Sequence, residues 1–168
     1  MSNRAVAKDG IVIERTFNAP VPLIWRLWTE VEEFKKWYGP QGFTIAVAEM
    51  DVRVGGKRLV CMVSPDGRMK IWTTGEYREI VPQTRLVYTD CPADEQGKLR
   101  SLADMGIGND ARPFLTEVTV QLAEVNGRTT MLMTHTGLPA GDQGASAGWE
   151  QSFAKLAAQA EGISRTAA

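Results

Sequence analysis

The sequence predicts a two-layer α+β fold, with one antiparallel sheet packed against one long C-terminal helix. Three observations carry this. Segments of alternating apolar and polar residues recur between residues 43 and 136. Turn signals join them, most clearly Ser64-Pro65-Asp66-Gly67 and Asn126-Gly127, and hairpin links make antiparallel neighbours. Near the end, Trp149, Phe153, Leu156, Ala160 and Ile163 fall at steps of four, three, four and three. That is one apolar stripe on a helix of about 20 residues. Such a stripe must be buried, and the sheet is the face that can bury it. A curved sheet holding one helix can leave an apolar pocket between them.

The first element reads as a strand over 11–17, where Ile11, Ile13 and Arg15 alternate with Val12, Glu14 and Thr16. Asn18-Ala19-Pro20 stops it. Pro20 suits a first helical turn, where a missing N–H costs nothing. Val21, Ile24, Trp25 and Trp28 follow at helical spacing, so 20–28 reads as a short helix, and Pro22 fits its first turn. Thr29-Glu30-Val31-Glu32 has the form of a capping box. It predicts a second short helix over about 30–36, stopped at Gly39-Pro40. Strands are expected over 43–52, 57–64 and 69–80, with Gly55-Gly56 as a turn, then over 86–89 after a turn at Pro82-Gln83. Residues 92–112 are polar and contain several glycines. They predict a long loop with a helical turn around Ser101–Met105. Strands over 114–124 and 129–136 flank Asn126-Gly127, and the second sets Met131, Met133 and His135 on one face. On the last helix, Gln151, Lys155 and Gln159 read as the solvated side, and the chain is expected to fray after Gly162.

Composition excludes several function classes. The 168 residues carry 19 Lys+Arg against 20 Asp+Glu, a formal net charge of −1. Such a chain has no general field to attract nucleic acid or anionic lipid, so neither partner is expected. No stretch approaches the roughly 18–20 apolar residues of a membrane span, and Met1 to Gly10 has no apolar signal core. Two cysteines, Cys61 and Cys91, are too few for a disulfide framework and too far apart for a redox pair. A reduced, cytoplasmic setting is expected. There is one histidine, His135. Any site needing two histidine ligands is therefore excluded, and a Ser/His/Asp triad would need His135 as its base.

The ordered set Phe17-Asn18-Ala19-Pro20 with Trp25, Trp37-Tyr38-Gly39-Pro40, Asp51-Val52-Arg53-Val54-Gly55-Gly56, Pro65-Asp66-Gly67, Gly75-Glu76-Tyr77-Arg78-Glu79-Ile80, Gly127-Arg128-Thr129 and Gly148-Trp149 resembles one superfamily. It is the START-like (SRPBCC, helix-grip) superfamily. The nearest branch is similar to homologues of the activator of the ninety-kilodalton heat-shock protein's ATPase. The resemblance covers about residues 11–161. It implies a helix-grip fold: a curved antiparallel sheet wrapped around the C-terminal helix, two short helices after the first strand, and a hydrophobic cavity. Residues 1–10 are expected as a flexible N-terminus, 11–163 as the START-like domain, and 164–168 as a flexible tail. The eukaryotic co-chaperones of this branch carry a further N-terminal domain that binds the chaperone. This chain has no room for one, which weighs against a chaperone partner. Other members of the superfamily resemble small-molecule binders, polyketide cyclases and drug-sequestering proteins. They share no catalytic constellation that could be carried over. Arg58 stands where the family usually has an aromatic. It either puts a cation near one end of the pocket or points to solvent after a shift of register.

The candidate ligand-binding residues are Trp25, Trp37, Met62, Trp72, Tyr77, Tyr88, Val118, Met131, Met133, His135 and Phe153. Large, soft side chains suit an adaptable apolar site, and the competing reading is plain core. His135 is either a polar anchor or acid/base in that pocket, its pKa lowered by desolvation, or a structural histidine at a strand end. Trp149 reads as a helix anchor. Asp51 and Arg53 read as an ion pair beside a turn, with a bound-anion site as the alternative, and Ser152-Phe153-Ala154-Lys155 as a chance match to a serine-nucleophile motif. Cys61 reads as packing, and Cys91 as the more exposed thiol. The acidic loop 90–110 lacks calcium-loop spacing, and Gly106-Ile107-Gly108 is not a nucleotide loop. No metal, cofactor or catalytic residue is expected. The expected function is binding of a small hydrophobic molecule between helix 145–161 and the sheet, with loop 92–112 and the Trp37–Pro40 corner as gates. The alternatives are a cyclase/dehydratase- or hydrolase-like enzyme using His135 with Tyr77 or Tyr88, and a stress-response or chaperone-partner module. A homodimer stays open.

Overall fold

The computed structural model describes residues 10–106, 108–138 and 143–167. Its elements are β1 (Gly10–Phe17), α1 (Val21–Thr29), α2 (Val31–Phe34), β2 (Thr44–Met50), β3 (Lys57–Val63), β4 (Lys70–Val81), β5 (Arg85–Thr89), β6 (Cys91–Pro92), β7 (Glu117–Val125), β8 (Arg128–Thr136) and α3 (Gln143–Ala167). The strands form one eight-stranded curved sheet in the order β1-β8-β7-β5-β4-β3-β2, with β6 pairing onto β4. Every pairing is antiparallel. This is the helix-grip architecture expected from the sequence.

Local chemistry explains the turns that set the register. Val125 pairs with Arg128, which leaves Asn126-Gly127 as a two-residue loop. Both residues have positive φ, 53° and 76°. That conformation follows the right-handed twist of the flanking strands, and Asn-Gly tolerates it best. Register shifts at Ile45/Val47 and Tyr77/Glu79 break the ladders β2–β3 and β4–β5, and such bulges increase local bend and twist. At Gly75, beside the second shift, a Cβ would stand 1.8 Å from the Thr89 carbonyl oxygen, so only glycine permits that approach.

The helices differ from expectation in instructive ways. Pro20 is the N-cap of α1, and the proline inside its first turn is Pro22. The expected capping box does not form. Thr29 belongs to the last turn of α1, and its hydroxyl donates to the Trp25 carbonyl at 2.8 Å. Glu30 caps α2 without a side-chain bond, and Glu32 pairs with Lys35 instead. An in-helix acceptor four residues back has taken the hydroxyl that the cap required. The loop over 92–112 is partly ordered by β6 and by bridges Ala93–Leu99 and Ser101–Pro113. α3 runs past Gly162 to Ala167, so residues 164–167 of the expected tail continue the helix. Residues 1–9 and 168 of the expected flexible ends lie outside the described residues, and Gly10 already opens β1.

The core lies between α3 and the sheet. Phe153, Leu156 and Ala160 of the stripe are fully buried, and Ile163 is half-buried. α1 and α2 close one side with Ile24, Leu27, Trp28 and Phe34. Trp28 and Trp37 meet edge to face at 4.7 Å, and Phe34 stacks on Tyr38 at 4.2 Å. These are favoured geometries for buried rings. The Trp37 indole donates to the Leu27 carbonyl at 2.8 Å, which ties the end of α1 to the corner after α2.

Candidate functional site: a small cavity at the N-terminal half of α3

A half-open pocket of about 170 Å³, called the cavity below, lies where α3 meets the corner after α2. Tyr38, Gly39 and Pro40 come from that corner. Met62 of β3, Thr73 of β4, Asp90 and His135 of β8 come from the sheet side. Gly144, Ala145, Gly148, Trp149 and Ser152 come from α3. The small residues on this helix face leave the space. Gly148 already lies close, since a Cβ there would stand 3.3 Å from Pro40 Cγ.

His135 sits on the cavity wall in a directed hydrogen-bond chain. The Trp149 indole N–H donates to its Nδ1 at 3.0 Å. An indole nitrogen only donates, so Nδ1 accepts and the neutral ring carries its proton on Nε2. Nε2 meets the Thr116 hydroxyl at 2.8 Å, and that hydroxyl donates to the Asp90 carbonyl. The chain thus links α3, β8 and the segment after β5. The hydroxyl near His135 is Thr116, not Tyr77 or Tyr88. Trp149 both anchors the helix and lines the cavity.

Beside the cavity lies a buried cation. The Arg58 side chain is 2% exposed, and Nη1 is 3.6 Å from Asp90 Oδ1. Its guanidinium stands 3.8 Å from the Tyr88 ring centroid, with Phe34 and Tyr77 further out. Nε donates to the Tyr77 hydroxyl at 3.3 Å. Of the two placements open for Arg58, the structure has the buried one. Burial opposes its charge, but the oxygens of Tyr88, Tyr38 and Tyr77 and the Asp90 carboxylate outweigh that, and its pKa stands above its ordinary value. A guanidinium tolerates such a site because it is weakly hydrated and stacks on rings. Tyr38 and Tyr88 share a hydroxyl–hydroxyl bond at 3.1 Å. Burial pushes both phenols, and that of Tyr77, above the ordinary tyrosine value.

The flank of α3 read as solvated is a polar seam. Gln151 accepts from the Gln41 N–H at 2.8 Å, Lys155 donates to the Pro40 carbonyl at 3.1 Å, and Gln159 donates to Glu33 Oε2 at 2.8 Å. Desolvation lowers the Lys155 pKa. Ser152 accepts from the Gly39 N–H and donates to the Gly148 carbonyl, so its hydroxyl is engaged on both sides.

Of the sequence-predicted residues, Met62 and His135 line this cavity. Trp37, Tyr77, Tyr88, Val118, Met131, Met133 and Phe153 are fully buried core around it, Trp25 is half-buried against that core, and Trp72 is half-buried on β4. Tyr38, Thr73, Asp90, Trp149 and Ser152 line the cavity without having been singled out as ligand residues. Tyr38 and Trp149 stood within the quoted motifs, and that was the available signal. Asp51 and Arg53 form an exposed ion pair at 2.7 Å beside the turn. Cys91, read as the more exposed thiol, is buried like Cys61, with its thiol bonded to the Thr116 backbone and its pKa raised by burial. Among the described residues no group of three or more His, Cys, Asp or Glu could hold a metal ion. No described helix is long and apolar enough to cross a membrane.

Comparison with known families places this architecture. The model of the family described as activator of Hsp90 ATPase homolog 1-like protein matches residues 18–161. The chain belongs to that family. It is thereby a member of the START-like (SRPBCC) superfamily, as the motif order implied. A crystal structure from Chromobacterium violaceum is similar at 27% identity and a TM-score of 0.77, covering 92% of this chain and 99% of that one. A solution structure from Staphylococcus epidermidis matches at 24% identity and a TM-score of 0.74, covering 94% and 92%. An AHSA1 protein of Silicibacter pomeroyi shares the fold at 20% identity and a TM-score of 0.69, covering 89% and 96%. A comparison with curated proteins finds no match.

Proposed function

We propose that the chain binds a small, mostly apolar molecule in the cavity between α3 and the sheet. The observation that carries this reading is the cavity of about 170 Å³ with Tyr38, Pro40, Met62 and Trp149 on its wall. Membership in the family fits a ligand-binding fold. Size limits the occupant. An apolar cavity of roughly 150 Å³ accepts benzene, whereas drug-sized ligands need roughly 300–1,000 Å³. The part of an occupant held inside the pocket is therefore about one ring in size. An enzymatic reading through His135 gains little support, because the Trp149 indole holds Nδ1 as an acceptor and Nε2 is bonded to Thr116. A general base needs a nitrogen within reach of substrate.

The test is a two-dimensional amide NMR titration of the full chain with benzene, toluene and indole. Saturable shifts at Gly39, Gly148 and the Trp149 indole N–H are expected. No saturable shift with any of the three, and no rise in Tm at millimolar ligand, would overturn the proposal.

A further inference from the structure

We infer that the pocket takes one end of an elongated amphiphile, whose apolar chain leaves along β4 over Ile71 and Met69. The inference deepens the ligand-binding reading above and rests on it.

Strand register lays out the path. Met62 of β3 and Thr73 of β4 line the pocket. Ile71 pairs directly with Met62 and stands two residues from Thr73 on its own strand. Cross-strand partners share a face, and so do residues i and i+2. Ile71 is therefore on the pocket's side of the sheet, next to two of its wall residues, and it is half-buried. The Ser64 N–H donates to the Met69 carbonyl at 2.9 Å, which carries the β3–β4 ladder one pair beyond Val63 and Lys70. Alternation then puts Met69 on the face of Ile71 and Thr73. Met69 is 55% exposed. A lone exposed methionine is ordinary. This one ends a line of side chains that starts in the wall of a half-open pocket. From Thr73 to Met69 the line runs about 13 Å, at roughly 3.3 Å per residue.

The line has a wall on one flank. The corner after α2 follows β3: a Cβ at Gly39 would stand 3.2 Å from Met62 Sδ, and one at Gly42 would stand 2.8 Å from Pro65 Cγ. That segment covers the β3 side from the pocket to the hairpin turn, while Met69 on the β4 side keeps its exposure. A thioether and a branched alkyl group offer mainly dispersion contacts, without a fixed direction. They suit a flexible aliphatic chain. The pocket itself holds about one ring, so the chain lies outside it and its polar end stays in water beyond Met69. The chemical class is a ring or chain end joined to several methylenes and a terminal polar group.

NMR titration of the full chain, with the Met and Ile methyl groups labelled, tests this with benzyl alcohol, phenylbutanol, phenylhexanol and phenyloctanol, each with its hydroxyl at the chain end. A fully buried methylene raises affinity about fourfold, and one on a track open to water about twofold. Affinity is expected to climb by that smaller factor per methylene along the series. The Ile71 and Met69 methyl signals are expected to shift saturably with phenyloctanol and to stay in place with benzyl alcohol. Met69→Ser changes an exposed side chain and leaves the pocket wall intact. It is expected to weaken phenyloctanol about twofold to fourfold and to leave benzyl alcohol unchanged. Adding Ile71→Thr, which keeps the β-branch, is expected to flatten the series. If affinity is independent of chain length, or its rise survives the double substitution, the track falls while the ligand reading stands. If the Met69 methyl moves with protein concentration rather than with ligand, the line is a contact between copies and the inference falls. If none of the four binds, and benzene does not either, the ligand reading itself falls.

Discussion

All three tyrosines of the chain, Tyr38, Tyr77 and Tyr88, surround Arg58 in the interior. Each phenol has its pKa raised, first of all by burial. Unfolded chains lose their phenol protons as pH rises through about 10, while the folded protein keeps them. The contribution of these groups to stability is thus fully present below that range and falls as pH climbs through it. Alkaline titration should show no tyrosinate absorbance before the far-ultraviolet circular dichroism changes, and then the whole signal in one step with unfolding. A tyrosinate signal that rises while the helix signal is intact would show that at least one phenol is not buried. A second prediction concerns His135. Trp149→Phe keeps the ring packing but removes the donor to Nδ1. Urea denaturation should show a loss of about 1–3 kcal/mol, the cost of a buried acceptor left unpaired, and imidazole nitrogen shifts of the wild type should report a proton on Nε2. A wild-type ring protonated on Nδ1 would contradict the geometry.

At the scale of elements, α3 does two jobs with two faces. The stripe through Phe153, Leu156 and Ala160 packs on the core, while Gln151, Ser152, Lys155 and Gln159 fasten the segment from α2 to β2. Ser152→Ala removes the acceptor of the Gly39 N–H. It should cost about 1 kcal/mol and raise the hydrogen-exchange rate at Gly39, while Gln41, held by Gln151, stays protected. Equal acceleration at both amides would mean that the seam opens as a unit. The first job was legible in the sequence, because an apolar stripe at helical spacing has one physical meaning. The strands and the Asn126-Gly127 turn were legible for the same reason, through period two and positive φ. The second job was not, since polar residues at the same spacing look alike whether they meet water or a neighbouring backbone. Arg58 was equally opaque. Its partners come from Phe34, Tyr77, Tyr88 and Asp90, on elements far apart in sequence, and no local period encodes that convergence. The lining of the pocket was opaque too, because it depends on which rings fill the space between α3 and the sheet.

For the molecule as a whole, the decisive feature is how much of the grip is filled. Most of the space between α3 and the sheet is taken by Trp28, Trp37, Phe34, Tyr88, Met131, Met133 and Phe153, each about fully buried. A half-open pocket of about 170 Å³ remains at the N-terminal half of α3, where Gly144, Ala145 and Gly148 line it. Phe153 stands at the boundary, 5.3 Å from the Trp149 ring, which lines the cavity, and 6.4 Å from Trp37 in the filled core. Phe153→Ala should cost about 3–5 kcal/mol, from lost transfer energy and the new void, against a total of about 5–15 kcal/mol for a typical domain. It should also add a ring-sized space next to the existing one. A ligand that binds only the folded state stabilises by mass action. Saturating benzene should therefore raise the Tm of the variant by more than it raises that of the wild type, whose interior at this position is already full. An equal shift in the two proteins would mean that the surrounding rings collapse into the space. Phe153 would then be a packing residue with no hold on the capacity of the cavity.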